Sequence, residues 1–322
     1  MKPQRNKPKR SLPSKPGTRT AQAQNSTGIP ISRTHRWFFR FAALTAPLLL
    51  LGVVELGLRL TDFGFPTAFF LDSRQGDRAM LIDNPKFGWR FFPPEVARTP
   101  RPLFFPARKP PGTVRVFVFG SSAAMGDPEP AYGFPRQLER ILQARHPNQQ
   151  VEVINTAMTA INSHVIREIA GDCRQREGDF WLLMEGNNEV IGPYGAGTVF
   201  GSQAASLPSV RLNLALKTTR LGQLLAGLTR SSREPSSWEG MELFLGYRVA
   251  QNDPRLANVY ANFAANLTAI VEMGKQSGAK VLVATVGQSQ GFTAIRLTPS
   301  AGLAAGMNSQ DGKNVTYPRD GG

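Results

Sequence analysis

Two hydroxyls, Ser121 and Ser122, follow the apolar run Val114-Arg115-Val116-Phe117-Val118-Phe119 and stand between Gly120 and Gly126. A serine in that place is a candidate nucleophile. Valines and phenylalanines stopping at a glycine read as a buried strand of a parallel sheet. The glycines permit a sharp turn, and the small residues between them let a reacting group approach the main chain. In an open α/β sheet, ligands bind outside the carboxyl ends of the strands, which places Ser122 at the ligand edge. The same pattern also occurs in α/β proteins without covalent chemistry, so position alone does not assign a reaction. Two other chemistries are excluded. Five residues separate the glycines and Asp127 follows them, which is not a phosphate-binding P-loop, and the G-x-S-x-G elbow is missing.

Two later segments repeat the design. Val151-Glu152-Val153-Ile154 reads as a second strand, followed by Asn155-Thr156-Ala157-Met158-Thr159-Ala160-Ile161-Asn162-Ser163-His164. Phe180-Trp181-Leu182-Leu183-Met184 reads as a third, followed by Glu185-Gly186-Asn187-Asn188-Glu189. Each strand ends in small and amide residues, and the three ends are expected side by side at one edge of the sheet.

In that order the trio resembles the SGNH, or GDSL-type, esterases and lipases. Gly120-Ser121-Ser122 covers the first block, Gly-Asp-Ser, with Ser121 in place of the aspartate. The resemblance implies Ser122 as nucleophile. It puts Ala160 where the second block has a glycine whose N–H helps to bind the oxyanion. Gly186-Asn187-Asn188-Glu189 matches the third block, Gly-x-Asn-Asp, with Asn188 as side-chain oxyanion donor and Glu189 replacing aspartate. Gly120 and Gly186 are the substrate-binding positions. The wording Gly-Asn-Asn-Glu before Gly192-Pro193-Tyr194-Gly195 is similar to a bacterial, membrane-anchored branch. The likeness covers roughly residues 114 to 195. It implies a three-layer, flavodoxin-like α/β/α domain with a parallel sheet, acting on an ester-bearing small molecule, a lipid or an acylated glycan, with no cofactor and no metal. The chemistry suits the residue types, because ester cleavage by serine puts negative charge on the carbonyl oxygen and each preorganised donor stabilises it by about 3 kcal/mol.

The departure is the base. A serine nucleophile needs a proton acceptor, which the superfamily supplies from an Asp-x-x-His block near the carboxyl end. This chain has only His35, His146 and His164. His35 lies in a basic arm and His146 precedes Pro147 at the end of a surface helix. His164 opens the helix after the second strand, and is read as solvated or hydrogen-bonded to a nearby loop. No histidine is assigned to catalysis. Lys280–Val286 reads as a further strand, but from Gly287 to Gly322 the apolar periodicity fades into Gly, Ser, Thr, Asn, Gln and Pro. That ending is expected from a coding sequence truncated or frameshifted before the last block.

Upstream, residues 1–40 hold ten of the Lys and Arg residues and no acid, two thirds of a formal net charge of +15. Their Pro- and Ser-punctuated setting without aromatic interleaving argues against nucleic acid. Residues 41–60 are an apolar stretch long enough to cross a hydrocarbon core of about 30 Å, flanked by Trp37, Phe38 and Phe39. Glu55 and Arg59, one turn apart near its far end, are expected to pair. The positive-inside rule puts the arm in the cytoplasm and the rest in the periplasm or outside the cell. Residues 61–112, with nine prolines, are expected to form an extended linker partly packed on the domain. Residues 113–286 then form one domain, with helices marked by Phe134–Leu142, Val165–Ile169, Leu221–Leu228 and Val259–Val271. The single cysteine, Cys173, rules out an internal disulfide and reads as a buried small hydrophobe, and Met158 and Met184 read as core. The chain is expected to be a serine ester hydrolase or acyl transferase, the alternative being an inactive envelope binding protein with the same fold.

Overall fold

The computed structural model describes residues 33–229, 237–238, 240–244 and 246–284. Residues 1–32 of the basic arm and the tail from 287 lie outside the described residues. The chain divides into two units, Met1–Leu50 and Leu51–Gly322. Helix α1, Arg33–Leu60, runs through the boundary. It starts eight residues before the expected apolar stretch. Its segment Trp37–Leu60 has a mean hydropathy of 2.0 and is long and apolar enough to cross a membrane. Pro47 is accommodated within it.

In the second unit, the segment expected as a linker is folded. Strands β1 (Phe70–Gln75), β2 (Arg78–Asp83) and β3 (Phe104–Pro106) form an antiparallel sheet in the order β1-β2-β3. Phe69, Phe70, Phe87, Phe91, Phe92 and Phe105 are all buried, in one core with Phe117, Phe119 and Trp181. Edge-to-face pairs link Phe69 to Phe87 at 5.0 Å and Phe70 to Phe105 at 5.2 Å. Burying each such ring is worth about 1.5–3 kcal/mol, enough to order a chain whose prolines break regular structure without preventing packing. The density of prolines signalled the lack of long elements, and the paired phenylalanines signalled the burial.

The main sheet contains β4 (Thr113–Gly120), β5 (Gln150–Asn155), β6 (Phe180–Met184) and β7 (Lys280–Ala284), all parallel, in the order β5-β4-β6-β7. That is the doubly wound, flavodoxin-like order, with the switch point at β4. Alternation along β4 serves two layers. Val114, Val116 and Val118 face α2 (Ser122–Met125) and α3 (Phe134–Arg145), while Phe117 and Phe119 face the larger core with α4 (Ser163–Cys173). Helices α5 (Leu207–Leu216), α6 (Arg220–Leu228) and α7 (Arg255–Gln276) complete the fold, and α7 packs along α4. The three-layer α/β/α expectation holds.

Arg115 breaks the apolar alternation of β4 and is fully buried. Its guanidinium donates to Glu152 Oε1 at 2.5 Å, the Arg176 carbonyl at 2.7 Å and the Pro106 carbonyl at 2.9 Å, and lies over the Phe105 ring. A buried charge is tolerated when paired and hydrogen-bonded in this way. Helix α4 reaches the same segment through its polar side. Glu168 pairs with Arg90 at 2.9 Å, and Asp172 accepts from the Phe69 N–H at 2.5 Å. Cys173 and Met158 are buried as expected, and Met184 packs partly buried against the α2–α3 layer.

Candidate active site

The strand order places β4 between β5 and β6, so the three loops of interest leave neighbouring strand ends. They are tied pairwise. The Met158 N–H donates to the Gly120 carbonyl at 3.3 Å, joining the second loop to the first. Asn188 Nδ2 donates to the Ile161 carbonyl at 3.0 Å, joining the third to the second. Ser121 Oγ donates to Asn187 Oδ1 at 2.8 Å and closes the ring between first and third.

At the first loop, Ser122 opens the short helix α2 and is half-buried. Among the described residues its hydroxyl makes no side-chain hydrogen bond, and its N–H, an orphan donor of a helix start, has no protein acceptor. Ser121 is fully buried and linked to Asn187. The two serines therefore differ in availability, and Ser122 is the free one. Gly120 is required by close approach, since a Cβ there would come within 2.3 Å of the Met184 carbonyl oxygen and 2.4 Å of the Ala124 Cβ.

At the second loop, Ala160 has φ = 64°. This left-handed conformation costs a residue with a Cβ about 1–2 kcal/mol and suits glycine. Here an alanine adopts it. Among the described residues the Ala160 N–H has no protein acceptor. The preceding Thr159 donates to the Asp127 carboxylate, tying this loop to the turn after α2.

At the third loop, Asn188 is buried, with its Oδ1 at 3.4 Å from Asn187 Nδ2. One of its two amide hydrogens goes to Ile161, and the other has no protein acceptor among the described residues. Gly186, at φ = 133°, is exposed at the rim. Glu189 stands where the resemblance has aspartate and accepts from both the N–H and the Oγ of Ser163 at 2.7 Å, capping the start of α4. Burial nevertheless pushes its carboxyl up to about 7, with the Ser163 bonds pulling the other way. The carboxyl oxygens of neighbouring Glu185 are shut away from solvent, close to Glu189 and Ser121. Burial, and then the charge of Glu189, pushes Glu185 well above the carboxylate range.

His164 is buried, not solvated. Its Nδ1 lies 3.0 Å from Asn266 Nδ2 of α7, and its ring meets Tyr194 edge-on at 5.6 Å. Burial, then the charges of Arg211 and Arg167, lowers it to about 4, so it is neutral at physiological pH. Among the described residues its side chain packs on Tyr194 and Asn266. The sequence reading missed Asn187, Glu185 and Asn266. Asn187 was legible only as the variable position of its block, and Asn266 sits on a distant helix with no local signal. No cluster of three or more His, Cys, Asp or Glu residues suited to a metal occurs among the described residues.

No family model matches the chain, and no curated protein matches its sequence. Among solved structures, TesA is similar at 12% identity with a TM-score of 0.31, over 55% of this chain and 63% of that one. AlinE4, an SGNH-hydrolase family esterase, is similar at 12% identity with a TM-score of 0.24, over 54% of this chain and 77% of that one. A family 3 carbohydrate esterase of Clostridium thermocellum is similar at 15% identity with a TM-score of 0.25, over 61% and 92%. The chain thus spans less than two thirds of TesA.

Proposed function

We propose that the chain is a membrane-anchored serine ester hydrolase of the SGNH type, in which Ser122 Oγ attacks an ester carbonyl and carries the acyl group. The observation that supports this most is the closed ring of hydrogen bonds among the three strand-end loops. It holds the unbonded Ser122 hydroxyl in the same assembly as three unspent donors, the N–H groups of Ser122 and Ala160 and one amide hydrogen of Asn188. Donors fixed before reaction stabilise the oxyanion without reorganising. The carbonyl carbon gains the Oγ bond, the alcohol leaves with a proton, and water later releases the acid. The base that receives the Ser122 proton is assigned to no described residue. Helix α1 is the membrane anchor, with the basic arm in the cytoplasm and the domain on the other side. The substrate is an acyl ester of a small molecule, lipid or glycan.

The second reading, an envelope binding protein that keeps the fold without turnover, is favoured by the neutral, interior His164. A fluorophosphonate probe separates the two. The expected result is a single adduct mapped to Ser122 that Ser122→Ala abolishes and Ser121→Ala leaves largely intact. An unlabelled, folded chain would leave only the binding reading. Topology is checked by reporters fused after Gly112. Activity of a periplasm-dependent reporter is expected, and activity of a cytoplasmic reporter alone would overturn the orientation.

A further inference from the structure

Helix α6 carries Leu221, Leu224, Leu225 and Leu228 at helical spacing, yet Leu225 is 53% and Leu228 75% exposed, and on α5 Leu212 and Leu216 are exposed as well. What holds α6 in place is a carboxylate of α1. Glu55 Oε1 accepts from the Arg220 N–H at 3.0 Å, and Oε2 from the Leu221 N–H at 2.8 Å, while Arg59 donates to Oε1 at 2.8 Å. Thr219 caps the same helix start through its hydroxyl.

Glu55 lies inside the apolar segment, five residues before its end at Leu60. At 1.5 Å per residue that is about 7.5 Å. The segment's 24 residues span roughly 36 Å, only a little more than a 30 Å hydrocarbon core. Wherever the segment spans a bilayer, the start of α6 therefore sits a few ångströms below the hydrocarbon boundary. Amphipathic helices lie at that depth, with apolar faces about 5–10 Å into the boundary region.

Behind this helix pair is a cavity of about 560 Å³, within the roughly 300–1,000 Å³ typical of small-molecule sites. Its lining includes the aromatic residues Phe65, Trp89, Phe92 and Phe200 and the leucines Leu216 and Leu225, with Asn213, Lys217 and Gln223 among the polar residues. Those two leucines are also exposed, so the lining of the cavity is continuous with the outward apolar side of α5 and α6.

We propose that this cavity takes the acyl chain of a lipid from the leaflet in which α1 ends. The inference rests on the reading of α1 as a membrane span. It assigns a lipid-binding role to the α5–α6 pair, separate from the Ser122 loops.

The test uses the full chain in phosphatidylethanolamine–phosphatidylglycerol nanodiscs containing a trace of phosphatidylcholine with a diazirine on its acyl chain. Irradiation and peptide mapping are expected to show adducts on α1 and on the cavity wall, within 89–92 or 216–226. Ala226→Trp, which fills the cavity, should lower the wall adducts at least fivefold and leave those on α1 unchanged. Leu225→Lys, a change at a half-exposed position, should do the same should the larger substitution prevent folding. Adducts confined to α1 would overturn the lipid site and leave the anchor standing. The absence of adducts on α1 would overturn the anchor, and this inference with it. Wall adducts indifferent to both variants would mean adventitious surface contact and would overturn the site.

Discussion

The carboxyl edge of the main sheet and the wall built from residues 61–112 are held together by opposite means. At the edge, three loops are joined by side-chain amides and hydroxyls, and positions such as Gly120 admit no Cβ. In the wall, phenylalanine rings meet edge to face, and polar side chains serve mainly to pin the segment to β4 and α4. Directional bonds fix a few atoms closely, as chemistry on a carbonyl requires. Apolar area fixes a whole segment with wider tolerance, as stability requires. The difference implies that damage to the wall lowers stability and spares the serine's reactivity, whereas damage to the edge does the reverse.

The largest expected effect tests the wall. Phe69→Ala should destabilise the chain by about 3–5 kcal/mol in urea unfolding, while the labelling rate of the remaining folded protein stays within a factor of a few. A matching loss of reactivity would break the comparison. Next is the interior beside the edge. His164, at about 4 when folded against 6.5 in its ordinary state, binds a proton more readily when unfolded. Its contribution is fully present above pH 6.5 and is lost as pH falls toward 4, by roughly 3 kcal/mol. Glu189, raised from 4.5 to about 7, has the opposite sign and loses stability as pH rises through that range. The two windows overlap between pH 4.5 and 6.5 and offset each other. Glu185, also pushed up by burial, has the same sign as Glu189, so the parent should already lose stability as pH rises there, and His164→Gln should steepen that loss. An unchanged slope would show that His164 is not held neutral. Third, Asn188→Ala should slow fluorophosphonate labelling about 100-fold with a smaller change in stability. Smallest is Ala160→Gly, which relieves the left-handed strain and should alter stability by about 1 kcal/mol or less, the gain being reduced by the added freedom of the unfolded chain. A large drop in labelling in that variant would show that the methyl group itself shapes the site.

The same contrast explains what the sequence disclosed. The edge was legible because its signals are local. A strand that stops at Gly120, an alanine at a glycine's place and the run Gly186-Asn187-Asn188-Glu189 each occupy a few consecutive residues. The bonds among them, above all Ser121 to Asn187, join positions 66 residues apart and had no local sign. The wall was largely illegible because its order comes from contacts over long separations, such as Arg90 to Glu168 and Phe69 to Asp172. Short strands among prolines show little periodicity. Helix α5 was missed for a similar reason, its leucines lying on more than one side, and α6 was found as an apolar stripe without any sign that the stripe faces outward.

Arg115 has a consequence for modularity. Its buried guanidinium takes one carbonyl from residue 106 and another from residue 176, so the heritable piece of this protein does not begin at the main sheet. A recombination event or protease cut near residue 112 would strip one partner from a charge that cannot reach water. Glu152 and the Arg176 carbonyl would remain, and losing one hydrogen bond to a buried charged group costs about 1.5–3 kcal/mol. The segment between α1 and the sheet therefore has to travel with the sheet. An exchange that swaps α1 is expected to have its junction before Glu55, whose carboxylate already binds the start of α6.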